Sequence, residues 1–199
     1  MLALILVGYL LAGLQTTFAA VVNTFIWIGL LLTALTAPDL PNRLRRVGLG
    51  ATMAILATSI SLGFIESDVA AGWRMLFLAF AQLAAMLAIL NQITRHRSVT
   101  LQTVMGGVAA YALIGFVMAA VFHGSSLLFD ETFLTGVVGE GDYTYFSFIT
   151  LTTVGYGDVT PASDLAKRLV VIEAFVGQVF LITLVARLVS LWGAPAPSD

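Results

Sequence analysis

Five long apolar runs, at about 3–36, 47–65, 69–91, 101–122 and 167–190, leave this chain few folds to choose from. Each approaches or exceeds the ~20 residues that cross the ~30 Å hydrocarbon core of a bilayer. The charge content agrees. Only 10% of the 199 residues are charged and 59% are hydrophobic, whereas a soluble domain carries about a quarter of its residues as charges. A soluble fold of this size cannot hide so much apolar surface; lipid accepts it. The expected fold class is therefore an all-α membrane protein with lipid as its surroundings. Cysteine is absent, which excludes disulfides, a thiolate nucleophile and cysteine-based metal sites. A net charge of -2 with no broad basic patch leaves no place for nucleic acid. His96 and His123 lie far apart in sequence and read as loop or interface residues, not as a metal pair.

The breaks between runs set an orientation. Arg43, Arg45 and Arg46 form one basic break, and Arg95, His96 and Arg97 another. Glu66 and Asp68 make a short acidic break, and the stretch from His123 to Asp142 is acidic throughout. Basic residues near span ends favour the cytoplasm, so the acidic segments are expected outside and the C-terminus inside; the compact architecture looks bacterial, and the inner membrane is the expected location. Lys167 and Arg168 then fall on the outer side, against that bias. Trp73 is expected near the outer interface and Trp192 near the inner one. The first run is too long for one crossing and short for two. One main span at about 17–36 behind an interfacial helix gives five crossings, and six crossings is the alternative. No basic charge precedes the first run, so a cleaved signal is not expected. Residues 193–199 read as a flexible tail.

The chemistry concentrates between the last two runs, from Asp142 to Asp158. The first ten residues suit a short helix, capped by Asp142 and too short to cross. Thr153-Val154-Gly155-Tyr156-Gly157 then reads as extended backbone at membrane depth, which is tolerated only where protein buries it or water lines it. Gly155 and Gly157 can take positive φ at little cost. Alternating backbone geometry points successive carbonyls the same way, and stacked rings of such oxygens replace the water shell of a monovalent cation. One chain holds one copy and cannot close a ring, so fourfold cyclic symmetry is implied. The carboxyl end of the short helix faces the same centre, where its dipole favours a cation.

Thr152 to Asp158 resembles the signature filter of the potassium channel family, for which this use of carbonyl rings is the type example. The order of outer helix 101–122, pore helix 143–152, filter 153–157 and inner helix 167–190 is similar to that family's pore module. The resemblance covers roughly the last half of the chain. It implies a homotetramer that conducts K+ passively, with no other cofactor and no enzymatic activity. The carbonyls of Thr153, Val154, Gly155 and Tyr156 and the Thr153 hydroxyl would coordinate K+, with Gly157 completing the strand. The chain divides into upstream spans over 1–97, a pore domain over 98–192 and the tail.

Around the filter, Asp158 reads as a strut that accepts a hydrogen bond from Tyr145, which stands where relatives often carry a tryptophan. Tyr156 is expected to point away from the axis. Ile149 occupies the position of a glutamate that promotes inactivation in some bacterial members, so weak inactivation by that route is expected. Gly177 matches the family's hinge glycine in spacing, with close packing as the alternative; Gln178 faces either the cavity or a neighbouring helix. Glu173 sits at membrane depth, where an ionisable group is costly. It is expected to be neutral and to bond a pore-helix hydroxyl, Thr150 or Ser147, in preference to standing ionised in the cavity.

The upstream spans lack a voltage sensor's regular Arg or Lys spacing; the run 69–91 holds only Arg74. Strong voltage dependence is not expected, and no nucleotide, calcium or redox domain identifies a gating ligand or partner. The competing readings are a potassium uptake transporter subunit and a less selective cation channel.

Overall fold

The computed structural model describes residues 67–95, 101–129, 132–137 and 139–192, together with Gly50. The remainder of the runs expected at 3–36 and 47–65, the basic residues Arg43, Arg45 and Arg46, His96 and the tail lie outside the described residues, and with them the choice between five and six crossings. The described elements are α1 (Asp68–Arg95), α2 (Leu101–Leu128), β1 (Leu134–Thr135), α3 (Gly141–Leu151), β2 (Thr160–Pro161) and α4 (Asp164–Trp192). Three of them contain stretches long and apolar enough to span a bilayer: Asp68–Asn91, Thr103–Leu128 and Asp164–Ser190. At about 1.5 Å per residue, α3 is far too short to do so.

Two of the long helices begin where a serine can satisfy a first-turn amide. Ser67 Oγ accepts from Ala70 N at 3.2 Å at the start of α1, and Ser163 Oγ accepts from Ala166 N at 3.1 Å at the start of α4. This cap, with Asp164 in the first turn, starts α4 three residues before the expected 167. Asp164 also pairs with Lys167 at 3.7 Å. An exposed pair of this kind contributes little stability, but it offsets the charge that made Lys167 look misplaced.

The helix α2 runs on to Leu128, past the expected end at 122. His123 reads as a loop or interface residue; it lies within the helix and faces α3. Ser126 Oγ lies 2.8 Å from both the His123 carbonyl and the Tyr143 hydroxyl, and the His123 ring stacks on Tyr143 with centroids 4.6 Å apart.

Small residues let α1 and α2 lie close together. Ala79, Ala84, Ala85 and Ala88 of α1 are buried, as are Ala109, Ala110, Ala119 and Ala120 of α2. Near Gly72 and Gly124 the backbones nearly touch: a Cβ on Gly124 would stand 2.9 Å from the Gly72 carbonyl oxygen. Farther along, α2 meets α4, where a Cβ on Gly107 would stand 2.6 Å from the Leu184 side chain. The opposite face of α1 exposes Val69, Trp73, Phe77, Phe80 and Leu87, a stripe at helical spacing suited to lipid.

A second core gathers around the short helix. Phe122 of α2, Phe133 and Leu134 before and in β1, Phe146 of α3, Val159 and Ala166 form one buried cluster. The strands pair antiparallel, Leu134 opposite Pro161 and Thr135 opposite Thr160. The Thr135 and Thr160 hydroxyls lie 2.7 Å apart, and the Phe133 carbonyl accepts from Ala162 N at 3.0 Å. The segment before α3 is thus stitched to the segment after residue 158.

Candidate functional site

The C-terminal end of α3 presents the usual problem of carbonyls without intrahelical partners, and the way each is satisfied sets the path of residues 152–155. Phe148 O accepts from Thr152 N at 3.0 Å and from Thr152 Oγ1 at 2.6 Å. Ile149 O accepts from both Val154 N at 2.9 Å and Gly155 N at 3.0 Å. Thr150 O accepts from Thr153 N at 3.0 Å. Leu151 O accepts from the Tyr111 hydroxyl of α2 at 2.9 Å. The chain therefore leaves the helix already tethered to its last turn.

Beyond that tether the backbone alternates. Thr153, Gly155 and Gly157 have φ of +61°, +54° and +81°, and none of the intervening residues lies in the left-handed region. For glycine this region carries no steric penalty; for a β-branched threonine it is rare and marks strain that the surroundings hold in place. The alternation is the geometry that turns successive carbonyls to one side. Val154 and Tyr156 are 50% and 72% exposed, so the described residues of the chain leave these side chains uncovered.

At the far end Tyr145 OH donates to Asp158 Oδ2 at 2.6 Å, and Val159 N donates to Asp158 Oδ1 at 3.0 Å. The Tyr145 bond holds the Asp158 carboxyl below its ordinary range. The same bond pushes the Tyr145 hydroxyl up to about 12. Gly136 (φ +83°) lets the β1 segment pass close to the Asp158 backbone, where a side chain has no room.

The helices α2 and α4 reach α3 through glycines. A Cβ on Gly115 of α2 would stand 2.9 Å from the Phe148 ring, and one on Gly177 of α4 would collide with the Leu151 side chain. Gly177 is buried in an unbroken α4, which is the close-packing geometry. Gln178 beside it is exposed on the lone chain. Glu173 is fully buried and so does not stand in an open cavity: its Oε1 meets Ser147 Oγ, not Thr150. Ser147 Oγ also lies 2.7 Å from the Gly115 carbonyl. Ile149 is buried.

Two features differ from expectation or escape it. Asp142 does not cap α3. The helix begins at Gly141 behind Glu140, and Asp142 Oδ2 turns back to accept from Gly139 N at 3.0 Å, because the first helical turn extends past the polar residue that looked like its boundary. Tyr111, which secures Leu151 O, was not anticipated; a hydroxyl in the middle of an apolar span was the available signal, since a buried tyrosine needs a partner. Among the described residues no group of three or more His, Cys, Asp and Glu could hold a metal ion.

A short helix that fails to cross, a return through alternating backbone and two flanking spans define the pore segment of an ion channel. Residues 108–192 match a family described as "Ion channel". The chain is also 34% identical over 86 residues to "Two pore potassium channel b" of Oryza sativa subsp. japonica, covering 41% of this chain and 25% of that protein. It is 45% identical over 49 residues to "Two-pore potassium channel 4" of Arabidopsis thaliana, covering 25% of this chain and 17% of that protein. It is 36% identical over 70 residues to "Probable potassium channel protein 2" of Methanocaldococcus jannaschii, covering 32% and 20%. The chain thus spans a quarter or less of the length of these relatives. Over this pore region the chain is thus similar to ion channels, and over part of it to potassium channels of two plants and an archaeon.

Proposed function

We propose that four copies of this chain form a potassium-selective pore through which K+ moves passively. The alternation of left-handed φ at Thr153, Gly155 and Gly157 carries this reading. It suits carbonyl rings from Thr153, Val154, Gly155 and Tyr156, with the Thr153 hydroxyl as a further ligand, in the arrangement that replaces an ion's hydration shell. Gly157 completes the strand, Asp158 and Tyr145 brace its outer end, and the Thr150 carbonyl braces its base. The exposure of Val154 and Tyr156 on one subunit supports a homotetramer in which neighbouring copies cover them. No resident cofactor other than the permeant K+ is invoked.

In the proposed orientation the β1–β2 ribbon lies outside, the C-terminus lies in the cytoplasm, and the channel sits in the inner membrane of the cell. Voltage dependence is weak, because α1 carries Arg74 as its only basic residue before Arg95, and a sensor needs several regularly spaced charges. Flux from liposomes holding opposed K+ and Na+ gradients tests the assignment. A reversal potential near that of K+, block by barium and a native mass of four subunits are expected. Equal passage of Na+ would favour a less selective cation channel, and transport that requires a gradient-coupled cycle would favour an uptake transporter.

A further inference from the structure

Ser147 stands between two acceptors with a single proton to give. Its Oγ lies 2.7 Å from the Gly115 carbonyl of α2, and it also contacts Glu173 Oε1 of α4. A backbone carbonyl cannot donate. If the serine proton goes to Gly115, the proton in the Ser147–Glu173 contact has to come from Glu173. The burial of the acid argues the same way. Ser147 and Glu173 are both 0% exposed, and Glu173 Oε2 has no partner among the described residues. A buried carboxylate in that setting would leave an ionised oxygen unpaired, at far greater cost than the carbonyl oxygen of a neutral acid. The Tyr111 hydroxyl nearby is committed to Leu151 O.

We propose that Glu173 is a positioning residue that works as a hydrogen-bond donor: its carboxylic acid proton goes to Ser147, whose own proton goes to Gly115. This relay ties α4, α3 and α2 together one layer behind the filter. It does so at the place where Phe148 packs on Gly115 and Leu151 packs on Gly177. The tilt and depth of α3, and hence the point from which residues 153–157 depart, are then fixed by a directional polar link instead of by apolar contact alone. The consequence for conduction rests on the function proposed above; the proton assignment does not.

The test uses the full-length chain in lipid vesicles at neutral pH, read by infrared difference spectroscopy between wild type and Glu173→Gln. A protonated-carboxyl stretch is expected in the wild type and lost in the variant. Ser147→Ala should retain the band but shift it, since the acid keeps its proton and loses its acceptor. Glutamine reproduces a donor beside a carbonyl oxygen, so Glu173→Gln should keep wild-type K+ flux and thermal midpoint, while Glu173→Ala loses both. Loss of an ionised-carboxylate band in place of the protonated one overturns the proposal, as does a Gln variant no better than Ala. The infrared arm reads the proton whether or not the vesicles pass K+, so failure of the channel assignment and failure of this inference are distinguishable.

Discussion

Along α1 and the face of α2 that meets it, contact is made by alanines and by the Gly72–Gly124 crossing. Around α3, apolar packing is joined by hydrogen bonds that each have one geometry: Tyr111 to Leu151, Ser147 to Gly115, Ser147 with Glu173, Tyr145 to Asp158. Small-residue packing is how helices associate in lipid, where burial of apolar surface gives no advantage over contact with acyl chains. It tolerates sliding. The proposed filter would not, because ion coordination depends on where backbone oxygens sit, and directional bonds set that position. The α1–α2 pair is built to hold together and the segment around α3 to hold a shape.

This contrast can be broken most decisively at the glycines. Gly155→Ala places a Cβ on left-handed backbone (φ +54°), at a cost of about 1–2 kcal/mol per copy. It should abolish discrimination between K+ and Na+ in the liposome assay. Gly124→Ala, crowded against the Gly72 carbonyl, should lower the thermal midpoint in detergent and leave the reversal potential unchanged. If the Gly124→Ala variant also loses selectivity, the two regions are not separable.

Gly177→Ala comes next. Its Cβ has to displace Leu151, and overpacking of this kind costs about 1–3 kcal/mol. The expected result is a lower unfolding temperature with reduced flux. A rise in flux at unchanged stability would instead mean that bending at this position, not packing, limits conduction.

Tyr145→Phe removes the donor to Asp158 while keeping the ring, and should hasten current decay with selectivity retained. The pH dependence of this strut is set by its two shifted groups. A carboxyl held below its ordinary value stabilises the fold above that value and loses the contribution as pH falls through the depressed one. A tyrosine raised to about 12 loses its contribution only as pH rises through that value. Between about pH 5 and about pH 9 the strut should therefore not titrate, and a current titration in that window which disappears in Tyr145→Phe would contradict it. The smallest effect belongs to the lipid-facing stripe: Phe80→Ala, at an exposed position, should change stability by no more than about 0.5 kcal/mol. A larger loss would mean that another part of the chain covers that face.

The sequence was most informative where chemistry is local. The filter strand, the Tyr145–Asp158 contact and the pairing of Glu173 with a pore-helix hydroxyl could all be read because a few residue types at fixed spacing leave few geometries open. Helix ends were read less well. His123 looks like the start of a loop until Tyr143 is seen stacked on it, and Asp142 looks like a cap until its side chain turns to Gly139. Both depend on contacts between segments distant or differently folded from what polarity suggests. The positive φ of Thr153 was hidden for a related reason: it is imposed by the tethers to Ile149 and Thr150 and runs against the residue's own preference.

The filter strand is moored at its base by the last turn of α3 and at its top by Asp158, and among the described residues no hydrogen bond from the same chain reaches Tyr156 or Gly157. In the proposed homotetramer its middle is left for the other copies to shape. In the proposed ring, a subunit with a faulty strand would spoil its three companions as well as itself. Mixed with normal subunits in a cell, such a variant would act dominantly, silencing most rings while every copy still reached the membrane.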